Sequence, residues 1–355
     1  MTSRSSASFL AEWHRQEAVL LAWPYENSHW QPWLAAIQKS YVALTAAISQ
    51  SATPLILCQH AAHREAIMQQ LGSALSATAR FIECPYNDTW CRDFGPIGLG
   101  DSSGLTTLVD FHFTGWGDKY EASADNAVNS ELNVRQLWSR PLRTIDFDLE
   151  GGAIETDGRG TLLTTEACLL AGNRNQGMDK VAVENALKDY LGVQRVLWIQ
   201  NGFLIGDDTD SHVDNLVRFA NRNTLLYASC DNPDDPHYAP LQAMEKEVKA
   251  LTTSDGEPYD CLPLVIPEAL FDENGTRLPA SYVNFLLLND TVIAPTFGSR
   301  YDEAALQQLQ RAFPQHRLIP VDGSQLIRQY GGPHCATMQL PVTALNQEFL
   351  GDTSC

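Results

Sequence analysis

The sequence predicts an α/β fold, and three observations carry that prediction. Short apolar runs of strand length alternate with segments whose apolar residues recur every three or four positions. The alternation continues evenly from end to end. No run reaches the ~18 residues that a membrane-spanning helix needs. The first helix is the clearest, with Trp33, Ile37, Tyr41, Leu44 and Ile48 forming one apolar stripe that ends near Gln50. A strand at Leu55–Cys58, a helix near Arg64–Leu71 and a strand at Phe81–Cys84 follow. In the next strand, near Thr106–Phe113, Leu108, Asp110 and His112 fall on the face opposite Val109 and Phe111. Helices near Asn126–Trp138 and at Met178–Tyr190 lead to strands at Val196–Ile199 and Leu225–Ala228. The last third holds a helix around Leu241–Leu251, strands at Val283–Leu288 and Val292–Ala294, a helix at Asp302–Phe313 and a strand at Leu318–Val321. The stretch DNPDDPHYAP, Asp231–Pro240, reads as a surface loop by its turn residues. No linker, fixed-period repeat or low-complexity segment divides the chain, so one domain over residues 1–355 is expected.

Composition narrows the function. The 355 residues are 44% apolar and 19% charged, the balance of a soluble globular chain, and carry a formal net charge of −19. So acidic a surface is repelled by phosphate backbones and anionic lipid, which argues against nucleic-acid and membrane partners and suits a small cationic ligand. Glu12, Arg15 and Glu17 interrupt the apolar stretch near the start, which makes a poor secretory signal, so a cytoplasmic location is expected. Eight cysteines (58, 84, 91, 168, 230, 261, 335 and 355) show neither CxxC spacing nor a clustered Cys/His pattern, which supports neither a disulfide framework nor a zinc site. Most sit beside apolar runs and read as small buried hydrophobes, Cys91 among them.

The chain has no G-x-G-x-x-G, Walker loop, H-E-x-x-H or G-x-S-x-G. Four polar clusters remain. In Asp88–Pro96 (DTWCRDFGP) the Gly-Pro pair places Asp93 at a strand end or loop mouth, although Arg92 and Asp93 could equally form a structural ion pair. Glu150 precedes two glycines that permit either a close backbone approach or merely a tight turn. In Asp207–Asn215 (DDTDSHVDN), His212 and Asp214 share a face if the segment is extended; oxygen ligation of a divalent cation is the weaker reading, because no calcium-loop spacing is present. Gly331–Gln339 (GGPHCATMQ) sets Cys335 on a sharply turned loop, as an exposed nucleophile requires. One thiol, one histidine and several carboxylates suit a planar cation, since carboxylates accept the fixed fork of a guanidinium in pairs. A cysteine protease has no reason to surround its thiol with acids, which raise the thiol pKa.

These motifs resemble the agmatine deiminase family, grouped with bacterial-type peptidylarginine deiminases among guanidino-group-modifying enzymes. The resemblance runs from AEWHRQEAVLLAWP through NDTWCRDFGPI, FTGWGDKY, LEGGAIETDGRGTLLTTEACLL, NRN, GDDTDSHVDN and ASYVNFLLLN to GGPHCATMQLP. It implies a five-bladed, pseudo-fivefold α/β propeller of ββαβ-type units with the site in its central channel. It also implies hydrolysis of agmatine to N-carbamoylputrescine and ammonia through a covalent cysteine thiouronium, with no metal or organic cofactor. By motif, Cys335 looks like the nucleophile, His212 the general acid/base, Glu150 the partner of that histidine, and Asp93 and Asp214 the guanidinium-binding pair. Trp90 and Trp116 could wall an alkyl-ammonium tail, with core packing as the competing reading. His334 is expected to point away from the nucleophile and serve the structure. The chain departs from the commoner family pattern at Pro333, where many members have a longer glycine run with an apolar residue before the His-Cys pair, and at Ser211, where many have glycine. The rival substrates are free or peptide-bound arginine, whose carboxylate would need a cation such as Arg174 or Arg300; a non-catalytic guanidino- or polyamine-binding protein is the third reading. Self-association into a homo-oligomer is compatible with the sequence.

Overall fold

The structure is a computed structural model that describes residues 7–351. Residues 1–6 and 352–355, Cys355 among them, lie outside the described residues. Strand β1 (Ser8–Phe9) precedes β2 (Gln16–Ala22), α1 (Leu34–Ile48), β3 (Thr53–Cys58), α2 (Ala61–Ser76) and β4 (Arg80–Glu83). Then come β5 (Ile97–Asp101), β6 (Gly104–His112), α3 (Ser123–Val134) and β7 (Leu142–Asp148). A third group is β8 (Ile154–Thr156), β9 (Thr161–Thr165), α4 (Lys180–Leu191) and β10 (Arg195–Ile199). A fourth is β11 (Val217–Asn221), β12 (Thr224–Ser229), α5 (Tyr238–Ala250) and β13 (Asp260–Val265). The last runs through β14 (Leu286–Leu288), β15 (Thr291–Thr296), α6 (Asp302–Ala312) and β16 (Arg317–Asp322) to β17 (Met338–Pro341).

The described strands form five sheets of one design. In four of them two consecutive strands pair antiparallel, and after a helix the chain returns parallel to the second: β5–β6–β7, β8–β9–β10, β11–β12–β13 and β14–β15–β16. A parallel return needs a crossover, and the helix supplies it. The fifth sheet takes its first strand from the far end of the chain, since β17 pairs antiparallel with β2 while β3 lies parallel to β2. Its β2 and β3 are almost wholly buried, as their continuous apolar runs require.

Several boundaries differ from those read in the sequence. The helix expected to reach Trp138 stops at Val134, because Gln136 takes a left-handed φ of +58° that no glycine announces. The strand expected from Val283 begins only at Leu286, leaving Asn284 in the lead-in. The loop through Pro240 loses its last three residues to α5; a proline in a first helical turn gives up only an N–H that has no helical acceptor. Trp33 stands outside α1, in a short 3-10 turn. Strands β1, β2, β5, β7, β8, β9, β11, β13 and β17 were not read from the sequence. No helix among the described residues is long and apolar enough to cross a membrane. The cysteines from Cys58 to Cys335 are free thiols, all buried except the half-buried Cys261.

Candidate active site

Each of the five sheets is entered through a short segment that delivers one or two polar groups to a common site. Before β5, the single-turn helix Cys91–Phe94 turns Asp93 inward, where Trp116 Nε1 donates to Oδ2 at 2.9 Å and the Gly152 N–H to Oδ1 at 2.9 Å. Burial pushes the Asp93 carboxyl up to about 6; His212 opposes that shift, while Asp214 and Glu150 add to it. Arg92 does not pair with its neighbour. It faces the other way, donating to the His334 carbonyl at 3.4 Å and to Gln339, 3.6 Å from Glu12.

Before β8, Glu150 is gripped by Arg174, whose Nε reaches its two oxygens at 2.8 and 3.1 Å while Nη1 reaches Asp210 at 2.7 Å. Arg174 is therefore buried and committed rather than free for a substrate carboxylate. Arg300 is no substitute, since it pairs with Glu268 at 2.9 Å on the surface.

Before β11 come His212 and Asp214, both fully buried. His212 Nδ1 lies 3.6 Å from Asp93 Oδ1, and ligating atoms of Glu150, Cys168 and His212 fall within 4.8 Å of one another. Burial works against a charged ring, yet Asp93, Cys168 and Glu150 carry His212 up to about 10. Gly152 keeps the gap open: a Cβ there would stand 2.7 Å from His212 Nδ1 and 2.8 Å from Asp93 Oδ1. Asp214 Oδ2 accepts from His334 Nδ1 at 2.7 Å and from the Cys335 thiol at 3.4 Å, while Oδ1 is buried without a partner. Burial would raise this carboxyl, but the hydrogen bond and charge of His334, with His212 and Arg218, hold it below the usual range. Of the other acids in this cluster, Asp207 is spent on the Ser211 N–H and Asp210 on Arg174 and Lys119. The His334 ring stands against Asp214 and Glu12.

Before β14 and β17 come Asn284 and Cys335. Asn284 Nδ2 lies 3.0 Å from the sulfur, and Oδ1 accepts the N–H groups of His334 and Cys335 at 3.1 and 3.3 Å. Sequence reading missed Asn284, although a lone amide inside the apolar run Tyr282–Leu288 was its signal. Burial, then Asp214 and Asp93, push the Cys335 thiol well above its ordinary value.

Asp93 and Cys335 line a cavity of about 220 Å³, and outside its lining His212 lies against Asp93 and Asp214 against Cys335. Trp90 and Trp116 both line it, as do Trp33, Tyr120, Asp88 and Asp208. Gly331 lets Trp90 lie close, since a Cβ there would meet its ring at 2.4 Å. Arg328 also lines the cavity, but its Nη1 is held by Glu273 at 2.6 Å.

Residues 8–341 match the family described as Porphyromonas-type peptidyl-arginine deiminase. The agmatine deiminase of Pseudomonas aeruginosa is 33% identical over 353 residues, covering 93% of this chain and 94% of the other. Among solved structures, agmatine deiminase from C. jejuni with substrate bound superposes with a TM-score of 0.87 at 36% identity, covering 94% of this chain and 96% of that one. A structure from Porphyromonas gingivalis, provisionally named an arginine deiminase, gives 0.90 at 41% identity over 96% of this chain and all of that one.

Proposed function

The chain belongs to the Porphyromonas-type peptidyl-arginine deiminase family, and from that premise we propose that it hydrolyses agmatine to N-carbamoylputrescine and ammonia. In this reading it is a cytoplasmic, single-domain enzyme whose five sheets ring a central channel as an α/β propeller. What supports the ring is that one sheet design recurs five times and the two chain ends share the fifth sheet.

The guanidinium lies between Asp93 and Asp214 with its carbon toward Cys335. In the empty site those two acids and burial keep the thiol protonated; a bound cation cancels their charge, so the thiol releases its proton to solvent and stands as the thiolate. Attack of sulfur on carbon gives a tetrahedral adduct. His212, protonated at neutral pH, then gives its proton to the departing amino group, so that ammonia leaves and a thiouronium remains on Cys335. The neutral imidazole next takes a proton from water, whose oxygen bonds the same carbon; the C–S bond breaks and the ureido product leaves. Glu150 faces His212 and stabilises its charged form. No metal or organic cofactor enters these steps.

The observation that carries agmatine over arginine is the cavity lining. Asp88 and Asp208 offer carboxylates, and Trp90 and Trp116 aromatic faces, to an alkyl-ammonium tail. Arg328, the lone arginine among the described residues lining the cavity, is already paired, so a substrate carboxylate would meet acids instead. Ammonia release from agmatine, free arginine and a peptidyl-arginine, measured side by side with Cys335→Ala as control, tests the proposal. Agmatine should be preferred by kcat/KM and the variant inactive; preference for either arginine substrate reverses the assignment, and an active Cys335→Ala removes the mechanism.

A further inference from the structure

Residues adjacent in sequence face two different cavities. Asp93 and Cys335 line the substrate cleft, whereas their neighbours Arg92 and His334 line a second, small cavity of about 50 Å³ that shares no lining residue with the first. Glu12, Glu155, Gln16 and Gln339 also line that second space. Between the two runs one continuous connection: Glu12 Oε1 meets His334 Nε2, His334 Nδ1 meets Asp214 Oδ2, and Asp214 Oδ2 meets the Cys335 sulfur.

We propose that Glu12 and His334 are positioning residues for the reaction, fixing from the second cavity the carboxylate that clamps the substrate and touches the nucleophile. This inference rests on the deiminase reading above. An imidazole bonded at both nitrogens cannot turn about its own axis, so the donor it offers Asp214 is fixed in direction. Asp214 Oδ2 is thereby held, and the other oxygen, buried and unpartnered, is left to the guanidinium. Glu12 is itself anchored, by Arg218 Nη2 and beside Arg92, and Arg218 also binds Glu155 at 2.7 Å. Burial would raise the Glu12 carboxyl, yet Arg218, His334 and Arg92 hold it far below the usual range. The groups facing the imidazole are thus Asp214 and Cys335 on the cleft side, and Glu12, Glu155, Arg92 and Arg218 on the other. Neither Glu12 nor His334 lines the substrate cleft.

Two substitutions separate the ends of the chain. In His334→Asn the amide nitrogen falls near the place of Nδ1 and keeps the donor to Asp214. In His334→Gln it falls near Nε2 and keeps only Glu12. With agmatine, His334→Gln should lose about ten- to hundredfold in kcat/KM, the range for one charge-assisted hydrogen bond, and His334→Asn should stay within about tenfold of wild type. Glu12→Gln, which keeps the size but not the charge, should fall between them. Losing its donor should raise the Asp214 carboxyl in His334→Gln from below the usual carboxylate range, while the acid limb of kcat/KM stays where Asp93 sets it, near 6. The carboxyl-carbon NMR titration of Asp214, read without turnover, should show that rise in His334→Gln and move little in His334→Asn. Equal activities of the Asn and Gln variants, or an unmoved Asp214 titration in His334→Gln, overturn the inference. Should His334→Gln fail to fold by its thermal transition, a wild-type rate and an unmoved Asp214 titration in Glu12→Gln would do the same. Wild-type protein inert toward every guanidinium compound would sink the deiminase reading instead, and the Asp214 titration would still decide the chain.

Discussion

Asp93 and His212 are pushed in the same direction for opposite reasons, and the reaction needs both in their charged forms. Burial raises Asp93 to about 6, so it is ionised only above that pH, whereas its acidic neighbours hold His212 charged up to about 10. Free-enzyme kcat/KM should therefore rise with pH through about 6, hold a plateau, and fall as pH approaches 10. Initial rates at low agmatine between pH 5 and 10.5 check this; activity undiminished at pH 5 would mean that Asp93 does not clamp the substrate in its ionised form. Gly152 gives a second test at this scale. Its Cβ would intrude between His212 and Asp93, yet its backbone is not left-handed, so alanine is tolerated by the chain but not by the site. Gly152→Ala should lose roughly a hundredfold or more in kcat/KM, the effect of displacing a reacting group by about 1 Å, with a thermal transition within a few degrees of wild type. Near-normal rates would refute it. Cys335, His212, Asp93, Asp214 and Glu150 were legible because each sits in a compact polar motif. Glu12 was hidden because a carboxylate near the chain start looks like ordinary surface charge.

Among elements, the turn that aims His212 shows most clearly how backbone geometry serves the site. Asp210 and Ser211 both take left-handed conformations, φ +63° and +67°, which cost a non-glycine residue ~1–2 kcal/mol. The turn is held by its own backbone, with the Ser211 N–H donating to Asp207 at 2.7 Å and its carbonyl accepting from Thr165 Oγ1 at 2.8 Å. Glycine would keep both bonds, remove the steric cost and add ~0.5–1 kcal/mol of unfolded-chain entropy. Ser211→Gly should therefore stabilise the protein by up to ~1 kcal/mol, seen as a rise of a few degrees at most in Tm, with activity retained. A lowered Tm would show that the Ser211 side chain contributes more than its conformation costs. The same physics explains what the sequence concealed at this level. Periodicity finds strands such as β3 and β12, apolar on both faces, but β8 is only three residues long and carries Glu155 and Thr156 into the interior. The former binds Arg218, a pairing that no spacing rule reveals.

At the scale of the whole molecule, the five sheets repeat a placement as well as a topology. Asp93 stands four residues before β5, Glu150 four before β8, Asp214 three before β11, Asn284 two before β14 and Cys335 three before β17. The segment before the leading antiparallel strand of each sheet thus carries a polar residue to the site. The units share no visible sequence repeat, so the equivalence emerges only from the fold, and with it the fifth contributor. Asn284 donates to the sulfur at 3.0 Å, which favours a thiolate in a pocket where Asp214 and Asp93 oppose one. Asn284→Ala should lower kcat about ten- to hundredfold, the worth of a hydrogen bond to a charged group, with KM little changed. Asn284→Asp tests whether donation or shape matters. Aspartate keeps the size and still accepts the two backbone N–H groups, but sets a third acid against the sulfur, so its kcat should fall below even that of alanine. Were Asn284 only a packing and backbone-holding residue, aspartate would outperform alanine. The order of the two rates at a single neutral pH, with both thermal transitions measured, therefore decides whether this position takes part in activating the thiol.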